Sequence, residues 1–248
     1  MSRLRSGPLA AWTAAWFDGR VGSEEVVRAT ARGDAPHQVV GLGGFAAELA
    51  PLSDVLIVWR RTGGSVRLVL PVPGDVRGLP GPADFGRAAL EAGEAVCGMS
   101  LGLVPTVVEF APSSAPATVR WQAFDVAAST VDFVSVADAQ YELTTAIRES
   151  ASALSAAGVA GRIADTAQVM PDARRAGERL NLPPGFPARA VALVAQAERL
   201  QAMLGLAAQD PTGGAIEGTG IMARIDALRP LATAVRRARV AGYNALAD

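Results

Sequence analysis

The feature that most constrains this chain is a change of hydrophobic period near residue 130. Before it, short β-rich runs alternate with Gly- and Pro-containing turns and short helical stretches; from Ser135 onward the strand pattern stops and apolar residues return at helical spacing. The expectation is an α+β domain over residues 1–130, a mixed or antiparallel sheet with packed helices, followed by a C-terminal helical bundle domain over 131–248. The length of 248 residues agrees with two domains, because single cores stop growing at about 250–300 residues.

In the first half, residues 8–18 and 23–32 read as two short helices, with Ser23 as N-cap and Glu24 and Glu25 at the positive end of the dipole. The second helix stops near Gly33. Residues 37–48 read two ways, as a strand through Val39 and Val40 or as a turn of helix over Phe45–Leu49. Val55–Trp59 and Val66–Val72 form a hairpin around Thr62-Gly63-Gly64-Ser65, with the first run apolar on both faces and therefore a central strand. A breaker-rich loop up to Pro82 leads to a helix over Ala83–Ala92, with Phe85, Ala88, Ala89 and Ala92 on one side. Strands follow at Ala95–Met99, Val104–Phe110 and Thr118–Phe124; in the last, Val119, Trp121 and Ala123 face inward while Thr118, Arg120 and Gln122 face water.

In the second half, Ser135 to Asp138 forms a capping box with Asp in the Glu position. Leu143, Ile147, Ala151 and Leu154 make one helical stripe, and Leu193, Ala197, Leu200 and Leu204 make another after the Pro183-Pro184-Gly185-Phe186-Pro187 stretch. A last helix is broken or kinked at Pro230. At about 100° per residue, Leu231, Ala234, Val235, Ala238, Ala241 and Ala245 share one arc, and Arg229, Arg236, Arg237 and Arg239 lie opposite.

Composition removes most routes to chemistry. All 23 basic positions are Arg, and His37 and Cys97 are the sole His and Cys. Lysine Schiff bases and a P-loop lysine are excluded, and a Cys/His zinc site has too few ligands. No cofactor is implied, and the scattered acids suggest no metal site. A net charge of −1 opposes a protein whose whole surface binds nucleic acid. One cysteine forms no internal disulfide, which suits the cytoplasm. Arg3 and Arg5 ahead of an apolar run resemble a signal peptide, but Leu9, Trp12 and Trp16 recur at helical spacing and Asp18-Gly19 closes the run without a cleavage site, so it reads as an amphipathic helix. No segment has the roughly 20 apolar residues of a membrane span.

Three groups of residues could carry function. Asp34 and His37 share a turn, where a carboxylate can orient an imidazole base. Asp75 and Arg77 lie in the loop from Pro73 to Pro82, where Arg77 could clamp an anion. Arg229, Arg236, Arg237 and Arg239 form the densest basic face, suited to phosphates or to a partner. Cys97 lies in an apolar run and reads as core. The Gly213–Gly220 stretch fails as a P-loop because Thr219 stands where Lys is required. The favoured reading is a non-enzymatic protein that contacts a protein partner or a second copy of itself through the helical domain. One alternative is nucleic-acid association through the Arg face; another is a small-ligand receptor or enzyme using the 73–82 loop and His37.

The segments DAPHQVVGL from Asp34, VRLVLPVPGDVRGLPGPADF from Val66 and VRRARVAGYNAL from Val235 resemble those of an uncharacterised actinobacterial protein family. The resemblance implies a cytoplasmic protein of a GC-rich bacterium and transfers no catalytic residue.

Overall fold

Among the described residues, six strands form one mixed sheet in the order β2-β1-β6-β5-β4-β3. The computed structural model describes residues 3–44, 49–108, 116–128, 134–156, 180–209 and 218–247. In chain order these contain α1 (Ser6–Phe17), α2 (Ser23–Thr30), β1 (Gln38–Val40), β2 (Leu49–Pro51), α3 (Leu52–Thr62), β3 (Arg67–Val69), α4 (Ala83–Ala92), β4 (Ala95–Cys97), β5 (Leu101–Val108) and β6 (Thr118–Asp125), then α5 (Val136–Ala156), α6 (Ala188–Gln209) and α7 (Gly218–Tyr243). All neighbours pair antiparallel except β1 and β6, which run parallel with Val39 opposite Trp121. The fold is α+β with C-terminal helices.

Strand alternation decides what each face holds. On β6, Val119, Trp121 and Ala123 are buried while Arg120 and Gln122 are exposed, as the sequence pattern requires. Trp121 has Val39 and Pro105 as register partners, and Ala123 has Leu103. On the opposite face Val69, Ala95, Cys97 and Val104 pack against Phe85 and Ala89 of α4, with Val126. Phe85 meets Phe124 edge to face at 5.6 Å. A side chain at Gly102 would collide with the Phe85 ring, so a bare backbone there admits the aromatic pair. Cys97 belongs to this core, and burial pushes its thiol up to about 12.

Several expectations are corrected. Residues 52–62 form a helix and not the first strand of a hairpin. Leu52, Val55, Leu56 and Trp59 are its buried residues, at i, i+3, i+4 and i+7, and Ile57 is 57% exposed. The five-residue apolar run satisfies a strand and a helix alike, and the wider spacing decides. Gly63, at φ +70, ends the helix where a hairpin turn was expected. Trp59 donates its indole N–H to Leu101 O at 3.0 Å and lies over Gly98. The following run does supply a strand, but β3 lies at the sheet's edge.

Helix α1 is also less two-faced than expected. Residues Ser6–Ala11 and Thr13–Ala15 are buried, because α2, β3 and β4 surround it. Residue 22, not Ser23, caps α2: Gly22 N–H donates to Glu25 Oε2 at 2.9 Å. Val39 and Val40 are strand; residues 45–48 lie outside the described set, and Leu49 belongs to β2. Residues 109–110 of the expected strand and 213–217 of the glycine-rich stretch also lie outside it.

The chain forms two compact units that are not continuous in sequence. The sheet unit takes Arg3–Phe133 together with Asn181–Phe186 and Tyr243–Asp248; the helical unit takes Val134–Leu180 and Pro187–Gly242 with the first two residues. In the sheet unit, Asn244 covers the outer edge of β3. Leu68 N–H donates to Asn244 Oδ1 at 2.7 Å, and Asn244 Nδ2–H donates to Leu68 O at 3.0 Å. One side-chain amide thus satisfies both backbone groups, as a neighbouring strand would. Arg67 adds a bond from Nη2 to Ala247 O at 2.7 Å. Asn181 joins the first two helices, accepting from Trp12 Nε1–H at 3.1 Å through its carbonyl and donating to Ala29 O at 2.6 Å.

In the helical unit, Ser135 caps α5: Asp138 N–H donates to Ser135 Oγ at 3.1 Å, and the hydroxyl donates to Asp138 Oδ2 at 2.7 Å. Ala139, Leu143 and Ala146 pack with Leu193 and Ala197 of α6 and with Leu231, Ala234, Val235, Ala238 and Ala241 of α7. The expected α5 stripe is followed through Leu143 and Ile147 and then shifts, since Ala151 is exposed and Ser150 is buried. Helix α7 is not broken at Pro230, which lies within it on an exposed position.

Two glycines give opposite expectations. A Cβ at Gly98 would stand 2.5 Å from Trp59 Nε1, so Gly98→Ala should destabilise by about 1–3 kcal/mol. Gly86, inside α4, has nothing within 4 Å of a built Cβ, so Gly86→Ala should stabilise by roughly 0.5–1 kcal/mol. Urea unfolding of the two variants reads both; equal effects would contradict this packing.

Candidate functional site

Among the described residues, a cluster of ionisable groups joins the segment before α1 to the α2–β1 connection. Gly33, at φ +85, turns the backbone after α2, and Asp34 then bridges Ala117 in parallel just before β1. This turn brings the Asp34 carboxylate to Arg3 and Arg5, which precede α1. Arg5 grips it with two bonds, Nε to Oδ2 at 3.2 Å and Nη2 to Oδ1 at 3.1 Å; Arg3 Nη2 adds 3.3 Å to Oδ2. Both the Arg5 and the Asp34 side chains are 4% exposed. Arg3 also donates to the carbonyls of Thr30 and Arg32, where a cation suits the negative end of α2. The backbone N–H groups of Arg5 and Ser6 both donate to Glu94 Oε2, at 3.0 and 2.7 Å, so a buried carboxylate holds the positive end of α1.

His37 completes the cluster. Its Nε2 lies 3.3 Å from Asp34 Oδ2, and its Nδ1 accepts from Trp121 Nε1–H at 3.1 Å. An indole N–H only donates, so Nδ1 is unprotonated and the ring proton is on Nε2, directed at the carboxylate. Burial pushes the His37 pKa down, the bond and charge of Asp34 pull it back in part, and the charges of Arg3 and Arg5 push it down again; the net shift is downward. For Asp34, burial alone would raise the pKa, but the Arg5 hydrogen bond and the charges of Arg3 and Arg5, with the His37 bond, bring it below the usual carboxylate value. Burial also lowers the Arg3 pKa, against the pull of Asp34.

Asp34 and His37 are therefore in contact, but the imidazole side chain is fully covered and both ring nitrogens are engaged. A general base needs a free nitrogen within reach of substrate. Asp75 and Arg77 also meet each other, Nε to Oδ1 and Nη2 to Oδ2 both at 2.9 Å. The guanidinium fork expected to clamp an anion already spans Asp75. The two pairs do not converge. The 73–82 loop leaves β3, four strands from β1, which is about 19 Å at the usual strand spacing. It returns at Gly81, whose carbonyl accepts from Ala127 N–H beyond the C-terminal end of β6, whereas Gln38 pairs with Arg120 near the other end.

In the helical unit the basic face is partnered. Arg229 bonds Asp226 at 2.6 Å, Arg237 bonds Glu142 at 3.2 Å, and Arg239 bonds Glu198 at 3.0 Å with both side chains largely buried. Arg236 is half-buried and also engaged. Among the described residues, no group of three or more His, Cys, Asp and Glu side chains could hold a metal ion. Likewise among them, no helix is long and apolar enough to cross a membrane. Sequence reasoning missed Glu94, Trp121 as a hydrogen-bond donor, and the roles of Arg3 and Arg5. Glu94 follows a helix-ending glycine and precedes an apolar strand, and an acid held off water just before buried Ala95 and Val96 was the available signal.

The two carboxylate–guanidinium pairs should differ sharply in weight. Asp34→Ala leaves Arg5 buried without its counter-charge and should cost about 3–5 kcal/mol in urea unfolding. Arg77→Ala, removing a side chain that is 55% exposed, should cost less than about 1 kcal/mol. Comparable losses would show that the Arg5–Asp34 contact is not the stronger restraint.

The chain matches the Rv1486c-like protein N-terminal domain over residues 6–134 and the Rv1486c-like protein C-terminal domain over residues 137–240. It is 29% identical to the uncharacterized protein Rv1486c of Mycobacterium tuberculosis strain H37Rv, an alignment covering 96% of this chain and 95% of that protein. It is 31% identical to the uncharacterized protein ML1804 of Mycobacterium leprae over 75% of this chain and 70% of that protein. No solved structure matches. With both domain models matched in order along almost the whole chain, the protein belongs to the Rv1486c-like family.

Proposed function

We propose that this protein is a non-enzymatic intracellular interaction module that assembles with a second copy, or with another protein, through its helical unit. The observation that carries this reading is the outer half of α7. Met222 is 56% exposed and Ile225 is 44% exposed, one helical step apart, and Leu228 is half-buried on the same arc. On α5, Tyr141 is 76% exposed. The unit's own core takes Leu231 to Ala241, with Leu228 packed against it, and leaves Met222, Ile225 and Tyr141 exposed.

The interaction surface therefore differs from the one suggested by the two-faced helix alone. At residues 231–241 the apolar side is consumed within the unit, and Arg237 and Arg239 are tied to acids on α5 and α6. What stays open is the preceding stretch, apolar in part and without a dominant charge, which suits a protein surface better than a phosphate backbone. The engagement of both His37 nitrogens supports a non-enzymatic reading.

Light scattering after size exclusion tests it at low and high salt. The wild type should elute as an oligomer free of nucleic acid at both salts. Met222→Asp with Ile225→Asp should be monomeric with unchanged helical circular dichroism. A wild type that is monomeric at roughly 100 μM rejects self-assembly, and nucleic acid that co-purifies at low salt and is lost at high salt would return the reading to the arginines.

A further inference from the structure

His37 has one place left for a proton, and that place is taken. Nε2 already carries hydrogen toward Asp34, so a second proton must land on Nδ1, the atom that accepts from Trp121. It would set two N–H donors against each other across 3.1 Å. Trp121 is fully buried on β6, and its residue pairs with Val39 of β1, so the indole N–H has no solvent to turn to.

The surrounding charges make the added proton costlier. From the N-terminal segment, Arg3 and Arg5 face the cluster; from the α2–β1 connection come Asp34 and, beside Arg3, Arg32; Tyr243 lies near Arg3. Glu94 is engaged with the start of α1. A protonated His37 would be a third cation, beside Arg3 and Arg5, at the carboxylate of Asp34, the acid that acts on the ring.

We propose that His37 is an acid-operated latch: protonation at Nδ1 breaks the Trp121 hydrogen bond and loosens the N-terminal segment and the α2–β1 connection from β6. The sign follows from the direction of the pKa shift. The folded ring takes a proton less readily than the unfolded ring, whose value is near 6.5. Stability from the neutral ring is complete above about pH 6.5 and is lost as pH falls below it, until the folded ring itself is protonated. Asp34, lowered from 3.8, contributes its own loss only in a more acid window.

With a single histidine in the chain, its imidazole C–H signals are unambiguous by NMR. In the wild type between pH 8 and 4.5, the imidazole should titrate with a midpoint below 6.5, and the Trp121 indole N–H signal should move over the same interval. In urea unfolding, the unfolded-to-folded ratio should rise by up to about tenfold per pH unit below about 6.5, and His37→Gln should remove that rise. A midpoint at or above 6.5, an indole signal that does not follow the imidazole, or the same pH dependence in His37→Gln overturns the latch. If His37→Gln does not fold, the wild-type titration decides alone.

Discussion

The bidentate contact between Arg5 and Asp34 is the restraint on which the rest of the sheet unit depends. Burying a carboxylate and a guanidinium costs several kcal/mol for each ion, and their attraction offsets that cost only when geometry is good and the remaining bonds are made. Here they are made: Asp34 receives Arg5 twice, Arg3 and His37. The contact also sits beside one of the sheet's short pairings. Strands β1 and β6 are parallel over only three residue pairs and far apart in sequence, and the Asp34–Ala117 bridge extends that pairing by a single step. Fixing Asp34 to the chain start fixes the end of α2, the start of β1 and, through His37, the Trp121 ring on β6.

Helix α1 is held between two carboxylates for a related reason. Asp34 binds the side chains that precede it, and Glu94 binds its first free N–H groups. A helix buried on most of its surface cannot satisfy its first N–H groups with water, so an acid just ahead of β4 serves instead. Neither partner could be inferred from local pattern. Asp34 stands out because a lone histidine lies three residues on, but its arginine partners are about thirty residues earlier in the chain, and Glu94 lies almost ninety residues from the groups it caps.

Legibility in the sequence followed the range of the interaction. Strands β4 to β6 and helices α2, α4 and α5 were readable because period, caps and turns are local; the Ser135 cap is made by a residue three positions away. Helix α3 was misread because five consecutive apolar residues carry no period, and Leu52 with Trp59 had to be weighed together. The helical spacing sets the arginines of α7 apart from its apolar arc, yet Arg237 and Arg239 bond Glu142 and Glu198 on other helices, and no periodicity reveals those partners. His37 stands out in the sequence as the sole imidazole. What the sequence could not supply was Trp121, which turns an apparent base into a hydrogen-bond acceptor in the core.

The same distinction between near and far explains how the sheet unit closes. Its order places β3 at an edge, and a short edge strand with open N–H and C=O groups invites pairing with another chain. Asn244 removes the opportunity at Leu68 with one amide, and Arg67 holds the chain beyond it through Ala247. Asn181 does comparable work for α1 and α2. A family description that ends the first domain at residue 134 therefore leaves out two asparagines that finish its hydrogen bonding. The sheet unit is a structure of the whole chain, since its last side-chain bonds to β3 come from residues placed after the helical unit has been traversed.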